Sequence, residues 1–379
     1  MLAVRHSTFR HGLYVTSFLI FWSNSIVYAA DVRFEINAGA CYESNVFRSS
    51  TDPKEDTCFM LVPEIALRLP FNRLYLDSSS RLALEQHVSQ TDANLQELIF
   101  SGFGRYSISN HASFGLRDRL IVSKRLKSVD ELSDMLRRRN FTGNGLISDL
   151  RYELKPGTLV ASVEYSNTTR DYRDTERDDW MSHTGRLQIE YSLRKTSVQL
   201  AAGLTRKVYE ADVDYISAPV ILLLKRKLGS KTEASCSLGS ESRRYNEVHQ
   251  DRNWDEPIAA LEVTGNFTPK TSLRLLLRRK VYDSDMATGY AFANAAAGIS
   301  VAFNLSYSTQ LAFRGTYAGN GYIEFQRMDY LFAGYGAVRY NFVERGSLVF
   351  SYRHERRTSS ISAYDYQQHI LDLSYTVVL

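Results

Sequence analysis

The chain has 379 residues and a formal net charge of +4 at pH 7. Tyr (24) and Phe (19) are abundant and Pro (7) is scarce, a composition that suits strands better than a typical soluble mixed fold. A charge this close to neutral, spread evenly along the chain, argues against nucleic acid as a partner. After the N-terminal region, no stretch approaches the roughly 18 apolar residues that a transmembrane helix needs.

The N-terminus has the layout of a secretory signal peptide. Two arginines lead into an apolar run that ends in small residues: Arg5, Arg10, Leu13 to Trp22 and Val27-Tyr28-Ala29. We therefore predict a signal peptide at residues 1–29 and a mature chain at residues 30–379. Cleavage leaves 44 basic against 42 acidic residues, so the mature chain stays near neutral. The alternative is an uncleaved anchor, for which the apolar run is short.

Period-two alternation begins as soon as this segment ends and recurs to the last residue. Apolar side chains alternate with polar ones at Val32/Phe34/Ile36, at Leu187/Ile189/Tyr191 and at Leu371/Leu373/Tyr375. This spacing predicts strands with one apolar and one polar face. Helical spacing is confined to one short stretch, Val129 to Arg138.

Turn residues divide the chain at regular intervals. Tight turns are predicted at 71–73, 109–111, 155–157, 194–196, 229–231, 268–270, 304 and 344–346. Longer polar loops are predicted at 43–56, 87–93, 125–139, 167–180, 208–217, 244–257, 283–289, 318–324 and 357–365. Eight turns and nine loops make seventeen connections, and therefore eighteen strands.

An even strand number with alternating short turns and long loops is typical of bacterial outer-membrane barrels. We therefore predict an all-β fold, a transmembrane antiparallel β-barrel of about 18 strands, in the outer membrane of a Gram-negative bacterium. A soluble β-sandwich would not alternate short and long connections so regularly. Asp118 falls on the lipid side between Leu116 and Leu120, which predicts a β-bulge or an error in the assumed register there.

The face opposite the apolar one lines the lumen, and late in the chain it is basic. Arg243 lies on this face, and the residues predicted to contact a solute are Arg274, Arg278, Lys280, Arg314, Arg339, Arg353 and Arg357. Acids on the same strands are Glu262, Glu355 and Asp372. A basic wall favours anionic or hydroxyl-rich solutes, since arginine binds carboxylate and phosphate well. The alternative is that these arginines form ion pairs that fill the lumen.

Nothing in the sequence predicts catalysis, a metal site or a cofactor. The mature histidines are scattered, with no serine or acid grouped beside them: His87, His111, His183, His249, His354 and His369. No cysteine or histidine spacing indicates a metal site. Cys41 and Cys58 flank the first loop, and the sequence leaves open whether they form a disulfide or are separate small residues on strands. We predict that the chain is no enzyme.

Two segments near the start of the mature chain carry a family resemblance. Tyr42-Glu43-Ser44-Asn45-Val46-Phe47-Arg48 resembles a Tyr-acid-x-Asn-aliphatic-aromatic signature, and Pro63-Glu64-Ile65-Ala66-Leu67 is similar to the stretch that follows it. The family is the outer-membrane β-barrel porins of exopolysaccharide and capsule gene clusters. The resemblance implies a part in polysaccharide secretion across the outer membrane.

Two classes of function follow from these observations. The first is a barrel that secretes an acidic or neutral polysaccharide, with outer-membrane lipid around it and periplasmic and inner-membrane export components as partners. The second is a general diffusion porin, or a structural or adhesive outer-membrane barrel. The sequence leaves open which polymer or solute is carried, whether the lumen is open, and how many copies assemble.

Overall fold

The computed structural model describes residues 31–126, 138–173, 179–210, 214–246, 253–283, 291–322, 327–343 and 345–379. The first half of the chain forms nine strands: β1 Asp31–Glu43, β2 Asp56–Pro70, β3 Leu74–His87, β4 Leu95–Ser107, β5 Ala112–Leu126, β6 Arg138–Lys155, β7 Leu159–Tyr172, β8 Trp180–Leu193 and β9 Thr196–Tyr209. The second half forms nine more: β10 Tyr215–Lys227, β11 Thr232–Tyr245, β12 Trp254–Thr268, β13 Thr271–Asp283, β14 Ala291–Asn304, β15 Thr309–Tyr322, β16 Arg327–Val343, β17 Gly346–Ser359 and β18 Tyr366–Val378. Two single-turn 3-10 helices, Thr91–Ala93 and Ser362–Tyr364, lie in loops.

The eighteen strands form one closed antiparallel sheet. Each strand pairs with its neighbours in the chain, and β1 pairs with β18 from Glu35↔Val378 to Glu43↔Ile370. The predicted barrel of about eighteen strands is confirmed, and antiparallel pairing of its first and last strands closes it. Closure leaves no edge strand with unpaired backbone groups, which is the requirement for a sheet surrounded by lipid.

Large apolar side chains cover the outer surface of the barrel. On β8 the outward positions carry Leu187, Ile189, Tyr191 and Leu193, each more than two fifths exposed, while Gln188 between them faces the lumen. An apolar surface this extensive is stable when it meets lipid chains instead of water. Buried side chains concentrate instead inside the barrel, at the end where the long loops lie.

Short and long connections alternate around the barrel, as predicted. By the usual orientation of such barrels, the short turns face the periplasm and the long loops face outside, and we name the two ends accordingly. Gly157 lies in one short turn with φ of +65°, a left-handed conformation that favours glycine. The stretch from Val129 to Arg138 falls outside the described residues except for Arg138, which begins β6.

The predicted bulge at Asp118 is wrong. β5 keeps an unbroken register with β4 and β6, and the irregularities that the pairing does show lie at periplasmic strand ends, as at Glu153/Lys155. Asp118 lies on the outer face, where its Oδ1 accepts a hydrogen bond of 3.2 Å from Asn144 Nδ2. The strand tolerates an outward carboxylate because a side-chain donor on the next strand satisfies it.

Cys41 and Cys58 are joined by a disulfide between β1 and β2, with their Cα atoms 5.0 Å apart. They are direct cross-strand partners on the inward face, at the base of the loop that connects the two strands. This answers the question that the sequence left open. Among the described residues, no helix is both long and apolar enough to cross a membrane.

Candidate functional site: the lumen wall

The strand registers place all seven predicted basic residues on the inward face. Arg274, for example, alternates with outward Leu273 and Leu275, and Arg314 follows Phe313, whose ring is half exposed on the outer surface. The same holds for the rest of the set: Arg278, Lys280, Arg339, Arg353 and Arg357. Their surroundings, however, divide them into two groups.

The first group is bonded to buried carboxylates near the extracellular end. Asp329 on β16 is 1% exposed and accepts two hydrogen bonds from Arg327, at 2.9 and 2.8 Å, and a further one from Arg357. The aromatic ring of Tyr364 lies against the Arg327 guanidinium. Arg353 forms an ion pair with Glu355, whose side chain is fully buried. We call Arg327, Asp329, Arg353, Glu355 and Arg357 the rim clamp.

The loop between β1 and β2, residues 44–55, contacts the rim clamp across the junction of β1 and β18. Arg48 lies 3.3 Å from Glu355 and donates to Gln368 Oε1 at 3.2 Å. Its φ of 53° is strained for a non-glycine residue, so the docking contacts hold a conformation that a free loop would leave. Val46 beside it is fully buried. Because Glu355 and Gln368 face inward, this loop covers part of the extracellular mouth.

The second group is exposed to the lumen. Arg278, Lys280, Arg314 and Arg339 are all exposed, and no ion pair with a carboxylate is found for them among the described residues. Arg278 and Lys280 each lie within 6 Å of the Tyr282 ring, which favours a cation without neutralising it. Arg274 is intermediate, since it is bonded to Glu262 at 2.8 Å but half exposed.

A cavity of about 650 Å³ lies at the periplasmic half of this wall. Its charged lining consists of four basic side chains and one acid: Lys227, Lys231, Arg274, Arg314 and Glu233. Hydroxyl and amide groups complete the polar surface, among them Ser272, Ser300 and Asn266. We call this surface, together with the exposed Arg278, Lys280 and Arg339 on the same inward face, the basic wall. It offers an anion several charged donors without a matching number of carboxylates.

The first three strands, β1 to β3, present the opposite charge at the periplasmic end of the lumen. A smaller cavity of about 190 Å³ is lined by Asp31, Glu35, Glu64 and Asp77 together with Arg33 and Arg68. Arg68 is bonded to Asp77 at 3.2 Å and Arg33 to Glu35 at 2.5 Å, so two acids remain in excess. We call this surface the acidic wall. The field inside the periplasmic half is therefore asymmetric.

A ring of inward aromatic side chains lies under the extracellular loops, and sequence reasoning missed it. Strands running toward the loops carry a tyrosine at or next to their last residue, at regular intervals: Tyr172, Tyr209, Tyr245, Tyr282 and Tyr322. Most are nearly buried, and Trp180 and Trp254 pack against the cluster of Tyr209, Tyr215 and Tyr245. A recurrence of tyrosine every 36 to 40 residues was the signal that could have revealed it. The ring places aromatic side chains on the inward face at the extracellular end.

The described histidines do not converge on a site in the lumen, although His354 and His369 are neighbours on the outer face. His87 is buried inside the barrel, 2.9 Å from Glu85 and 3.6 Å from Asp56. The nearby Cys58 is held in its disulfide, which removes a thiolate ligand from the group Cys58, Glu85 and His87. His183, His354 and His369 lie on the outer face, and His249 lies outside the described residues. That the chain has no catalytic role and no cofactor stays a prediction.

Comparisons with known proteins bear on the fold. A family model described as "Putative beta-barrel porin 2" matches residues 228–378, which is less than half of the chain. This match covers β11 to β18, whereas the resemblance described above rested on the first two strands, so the two are independent. No curated protein sequence matches the chain.

Solved structures match over almost the whole barrel. The outer membrane protein OpdK of Pseudomonas aeruginosa is 12% identical with a TM-score of 0.54, covering 92% of this chain and 99% of its own. A BenF-like porin of Pseudomonas fluorescens is 11% identical with a TM-score of 0.56, covering 92% and 99%. The chain has the fold of outer-membrane porins. OccK2 (OpdF) of P. aeruginosa, solved with glucuronate, is 11% identical with a TM-score of 0.55, covering 93% and 99%.

Proposed function

We propose that this porin-fold barrel lies in the outer membrane of a Gram-negative bacterium and is a diffusion channel for small anionic, hydroxyl-bearing solutes. The observation that carries the proposal is the basic wall, where exposed arginine and lysine side chains face the lumen with few acids beside them. Charged donors in a confined, low-dielectric passage attract anions and reject cations.

Two further observations favour a small solute. The extracellular end of the lumen carries inward aromatic side chains and the docked 44–55 loop, an arrangement that suits a compact molecule better than a polymer. In addition, OpdK was solved with vanillate and OccK2 with glucuronate, and both ligands are small carboxylates. At 11–12% identity those ligands suggest a chemical class and nothing finer.

Ion selectivity in planar bilayers tests the proposal. The purified barrel is inserted under a KCl gradient, and the reversal potential gives the ratio of anion to cation permeability. We expect anion preference in the native barrel and a fall of roughly threefold or more in a lumen variant carrying Arg278→Glu, Lys280→Glu and Arg314→Glu. Liposome swelling with glucuronate and with a cationic amino sugar provides the solute readout.

A matched control carries the same charge change on the outer face, with Lys124→Glu, Arg206→Glu and Arg226→Glu. It should keep the native selectivity, because these side chains point away from the lumen. Cation preference or absence of conductance in the native barrel would overturn the proposal. An equal loss of selectivity in both variants would assign the effect to total charge instead of to the wall.

Polysaccharide secretion remains the second candidate, and its support is the resemblance at Tyr42–Arg48 and Pro63–Leu67. None of the names of the matching proteins given above mentions a polymer. Surface polysaccharide in a deletion strain separates the two candidates. Unchanged polymer removes the secretion role, whereas loss of polymer that the native gene restores would favour it over solute uptake.

A further inference from the structure

The outer face changes from apolar to polar at one level on neighbouring strands. On β17, Leu348, Phe350 and Tyr352 are followed outward by His354 and Arg356. On β18, Leu373 and Leu371 are followed by His369 and Gln367. His354 and His369 are direct cross-strand partners, as are Arg356 and Gln367. We call these four polar residues the edge patch; it marks the extracellular boundary of the apolar belt.

The two imidazoles of the edge patch are held in place. Their ring centroids are 4.7 Å apart. His369 Nδ1 is 2.7 Å from the Tyr352 hydroxyl, and its Nε2 is 3.0 Å from Gln367 Nε2. His354 Nδ1 is buried and has no hydrogen-bond partner within the described part of the chain. Both rings are therefore fixed in place, and His354 Nδ1 is left without a hydrogen bond.

Arg356 differs from two other outward arginines at this end of the barrel, Arg244 and Arg279. Arg244 is bonded to Asp255 at 2.9 Å, and Arg279 to Glu256 at 2.6 Å. For Arg356, which is exposed, no carboxylate partner is found among the described residues. Its cross-strand neighbours are Phe332 on β16 and Gln367 on β18, neither of which is acidic. The edge patch therefore carries uncompensated positive charge where the apolar belt ends.

We propose that the edge patch binds the phosphate group of a membrane lipid in the outer leaflet. A planar guanidinium and an imidazole N–H are donors that phosphate oxygens accept well. In the edge patch these are Arg356 and His354, since both ring nitrogens of His369 are already bonded. The position fits a lipid better than a free ion, since acyl chains attached to the same headgroup would lie along Leu348, Phe350 and Tyr352 directly below. The site is on the outside of the barrel and is independent of what the lumen carries.

Lipid binding by the full barrel in detergent tests the inference. The probe is diphosphorylated lipid A, compared with the same lipid after removal of its phosphates and with inorganic phosphate alone. Native mass spectrometry counts retained lipid, and titration gives its affinity. We expect binding of lipid A, roughly tenfold weaker binding in Arg356→Gln, and a smaller loss in His354→Gln. Far-UV circular dichroism and the apparent Tm without lipid establish that each variant is folded.

The matched control is Arg226→Gln, which removes an outward arginine at the periplasmic end of β10. It should bind lipid A as the native barrel does. Equal binding of the dephosphorylated lipid would overturn the proposal, and so would native affinity in a folded Arg356→Gln variant. Binding of inorganic phosphate as tight as that of lipid A would reassign the site to a soluble anion. It would likewise overturn the assignment to a lipid.

Discussion

The two ends of the lumen use the same side chain in opposite ways. In the rim clamp, Arg327 and Arg357 are buried and bonded to the buried Asp329, and the half-exposed Arg353 is bonded to the buried Glu355. On the basic wall, Arg314 is exposed with no carboxylate partner found among the described residues. An inward arginine is thus a structural element where it is bonded to a buried carboxylate, and is proposed to contact solute where it is exposed and unpaired. Burial separates the two roles, since a buried charge requires a partner and an exposed one does not.

The same difference accounts for both interpretations of the arginines in the second half of the chain, as ion pairs and as an exposed basic surface. Ion pairing describes Arg353 and Arg357, whereas an exposed basic surface describes Arg278, Lys280 and Arg314. The variants below alter one region and leave the other intact, so they test whether the two roles are separable.

Removal of the shared carboxylate of the rim clamp should have the largest effect. Asp329→Asn leaves Arg327 and Arg357 buried with their counter-charge gone, and we expect a loss of about 3–5 kcal/mol in the free energy of unfolding. Urea unfolding in lipid vesicles, followed by tryptophan fluorescence, measures it. The exposed pair provides the control, since Asp77→Asn beside Arg68 should change the free energy by less than about 1 kcal/mol. Equal effects would contradict the distinction.

An arginine placed on the outer belt should be nearly as harmful. Leu187→Arg puts a charge among lipid chains and is expected to lower the free energy of unfolding by about 2–4 kcal/mol if it lies near the bilayer centre. The neighbouring Gln188 faces the lumen, and Gln188→Arg should lower it by less than about 1 kcal/mol. The same unfolding assay compares the pair, and a reversed order would contradict the assignment of the two faces.

Release of the 44–55 loop should have an intermediate effect. Arg48→Ala removes the contacts to Glu355 and Gln368, and we expect a loss of about 1–3 kcal/mol. Single-channel conductance should rise, because the loop no longer covers the mouth. Lys54→Ala in the same loop is a control, since its partner Asp52 is exposed. Unchanged conductance in Arg48→Ala would show that the loop does not narrow the passage.

The smallest effect is expected at the basic wall itself. Glu262→Gln frees Arg274 from its half-exposed ion pair and should change the free energy of unfolding by less than about 1 kcal/mol. Anion preference should increase, because the lumen loses one negative charge and the charge of Arg274 is left uncompensated. Reversal potentials measure it, and a fall in anion preference would contradict the role assigned to the wall.

The strand number and the closure of the barrel could be predicted because they depend on local patterns. Alternation gives each strand, turn residues give its end, and the count then fixes an even antiparallel ring. The boundaries of the loops were less accurate. The loop predicted at 167–180 is shorter, since β7 runs to Tyr172. Polar residues such as Asn167 and Thr169 suggested a loop, although they lie on a strand near the lipid boundary.

The sequence could predict which face of the barrel each residue of the candidate site lies on, but not which groups surround it. Alternation placed Arg314 and Arg357 on the same inward surface, and their spacing could not reveal that Asp329 lies beside one of them. That contact joins β16 to β17 across 28 residues of sequence. The disulfide and the docking of Arg48 likewise depend on how a loop folds back, which period-two spacing does not encode.

The pairing of β1 with β18 has a consequence for how the protein is made. Residues that meet at this seam are separated by more than 300 positions, so the first strand leaves the ribosome long before its last neighbour exists. Until Leu371 and Leu373 pair with it, β1 keeps one row of backbone donors and acceptors unpaired and able to bond a strand of another chain. Folding must therefore end with a ring-closing step of very high sequence separation, which is slow and prone to aggregation. Truncation at the C-terminus would leave an open, adhesive sheet instead of a smaller barrel.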